Sequence, residues 1–307
     1  WAMLAHAFAY TAISHFLANR PYRWAWERAI VIRVMSFGWP LLANGLLMFA
    51  IFQGDKAVIA VAFTPEIVGW YGAAFMLSMA PAMLVTTVMQ SLLLPVLSSS
   101  KDAPDEFRQR HEKTLQACLT IGLLTAAVFA VYGPELLIAL FGERYRDGAS
   151  VVVLLGITQG VRIAKSGQFV SAVAIADTKI PLIANLARGA ALFVAIGFVA
   201  LGYGPVVVAV TGLFGESIAY AIAMRLLSKH VRYPVVSQIP LIAVWLLLAS
   251  LSWGVGTLLR EFAPLIGQVI LGLTWLVVIA VIFSVFLPAV RGELSQLLKG
   301  RAGVGKK

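Results

Sequence analysis

Apolar runs of roughly 20 residues recur from one end of the sequence to the other, which is the length a helix needs to cross the hydrocarbon core of a bilayer. About nine such runs can be counted, over 1–18, 34–62, 70–98, 114–132, 149–172, 181–202, 205–227, 238–259 and 264–287. None shows the apolar/polar alternation of a barrel strand. Lipid cannot satisfy a free backbone N–H or C=O, so helices remain as the spanning element. Composition agrees: the 307 residues are 60% hydrophobic and 12% charged, with a mean hydropathy of +0.89, outside the range of soluble domains. The sequence predicts an all-α integral membrane protein.

The net charge of +10 would suit a nucleic-acid partner if it formed one patch, but its distribution follows the loops. Arg20, Arg23, Arg28 and Arg33 precede the second run, Lys101, Arg108, Arg110 and Lys113 follow the third, and Lys179, Arg225, Lys229 and Arg232 border the later ones. Arg291, Lys299, Arg301, Lys306 and Lys307 fill the tail, while the intervening loops hold only Arg144, Arg146 and Arg260. By the positive-inside rule the basic loops and the C-terminus are expected in the cytoplasm, and no nucleic acid is implied.

The chain opens at Trp1 inside an apolar run, without an initiator Met or a basic leader, and is expected to be a fragment of a longer protein. Residues 19–33, with Tyr22, Trp24 and Trp26 among arginines, predict a cytoplasmic loop joining two helical bundles. Residues 134–148 are less apolar and predict a short helix on the outer surface. Cys118 stands alone in an apolar run, which excludes an intrachain disulfide and suits a small packing residue.

Ionisable side chains inside these runs are the functional signal, because a charge in hydrocarbon is costly and is usually paired or faces a polar cavity. Asn44 and Asp55, about three turns apart, fall on one face of the second run and would line one wall. Lys56 follows directly, and the pair could equally mark the outer end of a shorter helix. In the fifth run Gln159, Arg162, Lys165 and Ser166 lie within one third of the helix circumference. That cationic stripe has the donors for an anionic phosphate, or for a structural ion pair with Glu216 or Asp177. Arg188, one turn beyond Asn185, extends the stripe or supplies a partner. Gly156 and Gly160 form a GxxxG step that predicts close helix packing, and Pro40, Pro81, Pro95 and Pro181 predict bends.

Enzymatic signals are weak. His6, His15, His111 and His230 show no metal-ligand spacing, and no nucleophile elbow is present. The tail from Gly300, GRAGVGKK, resembles a phosphate loop but has Lys307 where Ser or Thr is needed and no strand before it. A basic tail attracted to anionic lipid suffices, and no cofactor is expected.

The stretch FGWPLLANGLLMFAIFQGDKAVIAVAFTPEIVGWYGAAFMLSMAP, residues 37–81, resembles the polysaccharide transporters of the multidrug/oligosaccharidyl-lipid/polysaccharide superfamily, the lipid-linked oligosaccharide flippases. The resemblance rests on FGxPLLxNGLL, on Asp55-Lys56, and on the turn carrying Pro65, Glu66, Gly69, Tyr71 and Ala74; PELLIALFGERY and Gly215-Glu216 are similar further on. It implies two six-helix lobes around a central cavity. Residues 1–18 would end the first lobe, 34–227 form the second and 238–287 an extra helix pair, with 288–307 a basic cytoplasmic tail. It implies a flippase of the bacterial inner membrane, moving an undecaprenyl-pyrophosphate-linked oligosaccharide by alternating access among membrane lipids, with H+ or Na+ as an expected coupling cation. Arg162, Lys165, Arg188 and Gln159 would meet the pyrophosphate, and Asn44, Asp55, Lys56 and Glu216 the sugars or the ion. The alternatives are a multidrug/cation antiporter of the same superfamily, whose cavity would be dominated by carboxylates, and a membrane glycosyltransferase or polymerase, which would carry a large extramembrane loop.

Overall fold

A computed structural model describes residues 1–18, 26–231 and 234–287. The expected interfacial anchors Tyr22 and Trp24, the basic residues Arg20, Arg23 and Arg232, and the whole basic tail with its phosphate-loop-like GRAGVGKK lie outside the described residues. Among the described residues every regular element is helical: α1 Ala2–Leu17, α2 Arg28–Ala62, α3 Pro65–Ser98, α4 Pro104–Phe141, α5 Ala149–Ala174, α6 Lys179–Ala200, α7 Val206–Val231, α8 Ile239–Phe262 and α9 Leu265–Phe286, with short 3-10 turns at Glu143–Gly148 and Val235–Gln238. Eight are long and apolar enough to cross a membrane; α1, at 16 residues, is shorter than these. Large apolar side chains such as Val61, Phe193 and Ile266 stand fully out from the helices, as a chain with lipid for solvent requires. The protein is therefore a multi-pass, all-helical membrane protein. It divides into two compact units, 1–39, which holds α1 and the start of α2, and the remainder from Pro40, which holds the packed bundle and the site.

Local chemistry places the helix ends. Thr64-Pro65-Glu66 starts α3 with Pro in the first turn and an acidic side chain near the positive end of the helix dipole. Pro104, Asp105 and Glu106 do the same for α4, so that helix begins ten residues ahead of the expected 114, where the sequence looked like loop. α2 likewise begins at Arg28, inside the segment expected as an inter-lobe loop. The turn after α5 is a Schellman motif, in which Asp177 N–H donates to Ala172 C=O at 2.9 Å and Ala176 N–H to Val173 C=O at 2.9 Å. Ala176 takes the left-handed φ of 61° there.

The expected surface helix over 134–148 is not found. α4 continues through Pro134 to Phe141, and only Glu143–Gly148 is a separate turn. Burial explains the continuation. Pro134 and Leu137 are buried, Gly133 lies against the Val152 side chain of α5, and packing along α5 outweighs the hydrogen bond that proline removes. Gly142 then ends the helix at φ 94°, its N–H donating to Ile138 C=O at 2.8 Å.

α5 is the hub, packed against α3, α4 and α7 and buried along nearly its whole length. Its crossing with α4 is set by glycines: a Cβ on Gly122 would lie 2.4 Å from the Gly160 carbonyl oxygen, and one on Gly156 would lie 2.0 Å from Phe129 Cβ. The GxxxG step at 156–160 does serve helix packing. Two apolar clusters occupy opposite ends of α5. Val151, Val152 and Leu155 join Trp70, Tyr71 and Phe75 of α3, while Val170, Ala172 and Ala174 join Leu97, Phe107 and Leu227. The polar stretch 159–165 falls between them, at mid-depth in the bundle.

Candidate functional site

Four helices deliver charged or amide side chains to that mid-depth stretch. Lys165 of α5 and Glu216 of α7 form a close ion pair, and Arg162 Nη2 lies 3.5 Å from the other Glu216 oxygen. Arg188 of α6 reaches in two directions, with Nη2 2.7 Å from Asp55 Oδ2 on α2 and Nε 3.7 Å from Glu216 Oε2. Lys165 Nζ also donates to Asn185 Oδ1 at 2.7 Å, and Asn185 Nδ2 donates to Asn44 Oδ1 at 2.7 Å. Gln159 Oε1 accepts from Arg162 Nη1 at 2.8 Å. Each pair of residues a turn apart on one helix, Arg162 with Lys165 and Asn185 with Arg188, points to the same side because three-residue spacing keeps a helical face.

Glycine makes the site possible. A Cβ at Gly215 would come 2.5 Å from Ala191 Cβ and 3.2 Å from Arg188 Cδ, and one at Gly212 would come 3.4 Å from Arg188 Nη2. The bare backbone of α7 thus lets Arg188 lie along it, which brings the guanidinium beside Glu216 on the next residue. The Gly215-Glu216 step is therefore packing and chemistry in one dipeptide.

The balance of the cluster is unequal. Three cations, Arg162, Lys165 and Arg188, face two carboxylates, Asp55 and Glu216. Glu216 is fully buried and Arg188 is 2% exposed, while the Arg162 and Lys165 side chains keep exposures of 15% and 11%. Arg162 Nε and Arg188 Nη1 are buried and, among the described residues, donate to no acceptor. A buried donor without a partner is expensive, so a site with surplus positive charge and unused guanidinium N–H groups is chemically ready for an oxyanion. No three His, Cys, Asp or Glu side chains converge as a metal site among the described residues.

Of the residues singled out in the sequence, Gln159, Arg162, Lys165, Arg188, Asn44, Asp55 and Glu216 come together. Lys56 does not: it is exposed, with Nζ 4.9 Å from the centre of the Phe75 ring. Asp177, weighed as a partner for the stripe, instead lies 3.5 Å from His230 at the end of the bundle. Ser166 turns back to its own helix, donating to Ile163 C=O at 2.6 Å. Sequence reasoning passed over two members. Asn185 bridges α5 to α2, and Phe52, one turn before Asp55, stacks its ring 4.7 Å from the Arg162 guanidinium. The one-turn spacing of Phe52 and Asp55 was visible, but an aromatic in an apolar run carries no signal of its own.

Asp55 is the only carboxylate among these that belongs to α2. Asp55→Asn keeps the shape and removes the charge, leaving Arg188 with Glu216 at 3.7 Å, and is expected to cost about 2 kcal/mol. A double-mutant cycle with Arg188→Gln on detergent-solubilised protein should return a coupling of about 1 kcal/mol or more; additive losses would mean the pair is not energetically linked.

The ion network across α2, α5, α6 and α7 thus lies at mid-depth in the bundle of an all-helical, multi-pass membrane protein, where ionisable side chains are costly unless paired or facing a polar cavity. Residues 1–150, just under half of the chain, are similar to the family described as polysaccharide biosynthesis protein. The matched stretch contains Asn44 and Asp55, while Gln159, Arg162, Lys165, Arg188 and Glu216 lie beyond it. No curated protein sequence and no solved structure matches the chain.

Proposed function

We propose that this protein acts in flipping an undecaprenyl-pyrophosphate-linked oligosaccharide from the cytoplasmic to the periplasmic leaflet of a bacterial inner membrane. The supporting observation is the buried cluster of Arg162, Lys165 and Arg188, which outnumbers its carboxylates and keeps guanidinium donors unused. A pyrophosphate carries acceptors for those donors and would compete with Glu216 and Asp55 for the cations. Helices α2 to α7 would form the second lobe of a two-lobe transporter, with α8 and α9 as an added pair. Because Asp55 and Asn44 both tie α2 to α6, substrate displacing these contacts would free α2 to move, which is the local step that alternating access needs. Loop charges favour the ends near Lys101, Lys179 and Lys229 as cytoplasmic. An antiporter for cationic drugs fits less well, since both carboxylates are already held by cations.

The test separates substrate binding from structure. Arg162→Gln with Lys165→Gln should abolish rescue of surface-glycan export in a flippase-deficient strain. Adding Glu216→Gln to the pair restores electrical balance and is expected to recover protein level and thermal stability without recovering export. Export that persists in the double variant at normal membrane level would overturn the anion site.

A further inference from the structure

At the end of the bundle where α4 turns into α5 and α8 into α9, a cavity of about 580 Å3 opens, within the ~300–1,000 Å3 typical of small-molecule sites. It shares no residue with the buried ion network. On its wall Arg146 and Glu143 meet as a two-pronged fork, Nε to Oε2 at 2.9 Å and Nη2 to Oε1 at 2.9 Å. Arg260 of α8 lies 3.8 Å from Glu135 of α4 and is anchored by a 3.2 Å bond from Nη1 to the Val131 carbonyl. Glu135 Oε2 is buried and accepts no hydrogen bond among the described residues. Gln268 of α9 and Trp253 of α8 complete the lining, and Trp253 is 44% exposed.

Two carboxylates against two guanidinium groups leave no net charge, so the cavity has no electrostatic reason to collect an ion: a phosphate meets the glutamates and a metal the arginines. What the wall offers is acceptors and donors at close spacing beside an open indole face. Neighbouring hydroxyls on a sugar ring both donate and accept, and can satisfy a carboxylate and a guanidinium together. The C–H face of the same ring packs on an aromatic, and a hydroxyl gives Glu135 Oε2 the donor it lacks. We propose that this cavity is a carbohydrate subsite, which holds a sugar ring against Trp253 with its hydroxyls shared between Glu135, Arg260 and the Glu143–Arg146 fork. The inference rests on the glycan-transport reading for the source of the sugar. The cavity lies at the bundle end away from the basic loops, where a translocated glycan would emerge.

Saturation-transfer NMR on the purified chain in nanodiscs, with glucose, N-acetylglucosamine and maltose as probes, tests this directly. Transfer is expected to at least one probe, strongest on one face of the ring. Trp253→Leu should raise Kd about fivefold and Trp253→Phe much less. Glu143→Gln with Arg146→Gln should also weaken binding while leaving the melting temperature unchanged, because the pair is solvent-exposed. No transfer to any probe, or transfer indifferent to these variants, would overturn the subsite. Binding does not depend on export: sugar bound by a chain that exports nothing would sink the transport reading alone, and an exporting chain that binds no sugar would sink this subsite alone.

Discussion

Replacing Glu216 with Gln should destabilise the protein by about 3–5 kcal/mol, the cost of stranding buried charge. The carboxylate is fully buried and is the common partner of Lys165, Arg162 and Arg188. Of the cations, Arg188 alone retains a second carboxylate, at Asp55. The variant therefore leaves three positive charges at mid-depth with one negative one. Thermal unfolding in detergent, together with the fraction of protein reaching the membrane, reads the effect, and a fall of roughly 10 °C is expected. Combining Glu216→Gln with Lys165→Met removes the nearest cation too and should recover most of the loss, since an uncompensated charge costs more than an absent pair. A single variant as stable as the parent would show that the cations do not depend on Glu216.

The second large effect concerns backbone, not charge. At the α4–α5 crossing a methyl group on Gly160 would come 2.5 Å from the Gly122 carbonyl oxygen and 2.8 Å from Ala126 Cβ. Neither neighbour is a flexible side chain that can swing away, so the helices must separate. Gly160→Ala is expected to cost about 1–3 kcal/mol, and Gly160→Leu more. Arg162 and Lys165 follow on the same helix and shift with it, so export should fall even where protein level holds. Gly197 is the control: it sits on α6 with nothing within 4 Å of an added Cβ, and Gly197→Ala should be neutral or stabilising by up to about 1 kcal/mol through helix propensity. Equal melting temperatures for the two alanine variants would refute the close crossing.

These two sites differ in how far the sequence exposed them. Gly156 and Gly160 declared themselves through spacing, because a small-residue face on a membrane helix has few uses other than contact. Their partners Gly122 and Phe129 did not, since a partner across a helix pair leaves no mark in local sequence. The continuation of α4 through Pro134 was hidden for a related reason. Proline predicts an end by local sterics, and only the burial of Leu137 and Pro134 against α5 reverses that. The early starts of α2 and α4 reflect charged helical turns beyond the apolar run, which hydropathy alone reads as loop.

Sequence by itself determined the material of this protein: helices long enough to span, the alternation of basic loops, and which ionisable side chains sit in apolar surroundings. Those follow from local composition, because the cost of exposing backbone or charge to lipid is set residue by residue. Tertiary structure decided pairing. It made Glu216 the shared counter-charge of three cations, joined Asp55 to Arg188 across α2 and α6, set Lys56 outside the network, and brought Phe52 and Asn185 into it. It also gathered Glu135, Glu143, Arg146, Arg260 and Trp253 from three separate segments around one cavity. Electrostatic and hydrogen-bond energies depend on distances of a few ångströms between side chains far apart in the chain, and those distances exist only once the helices have packed.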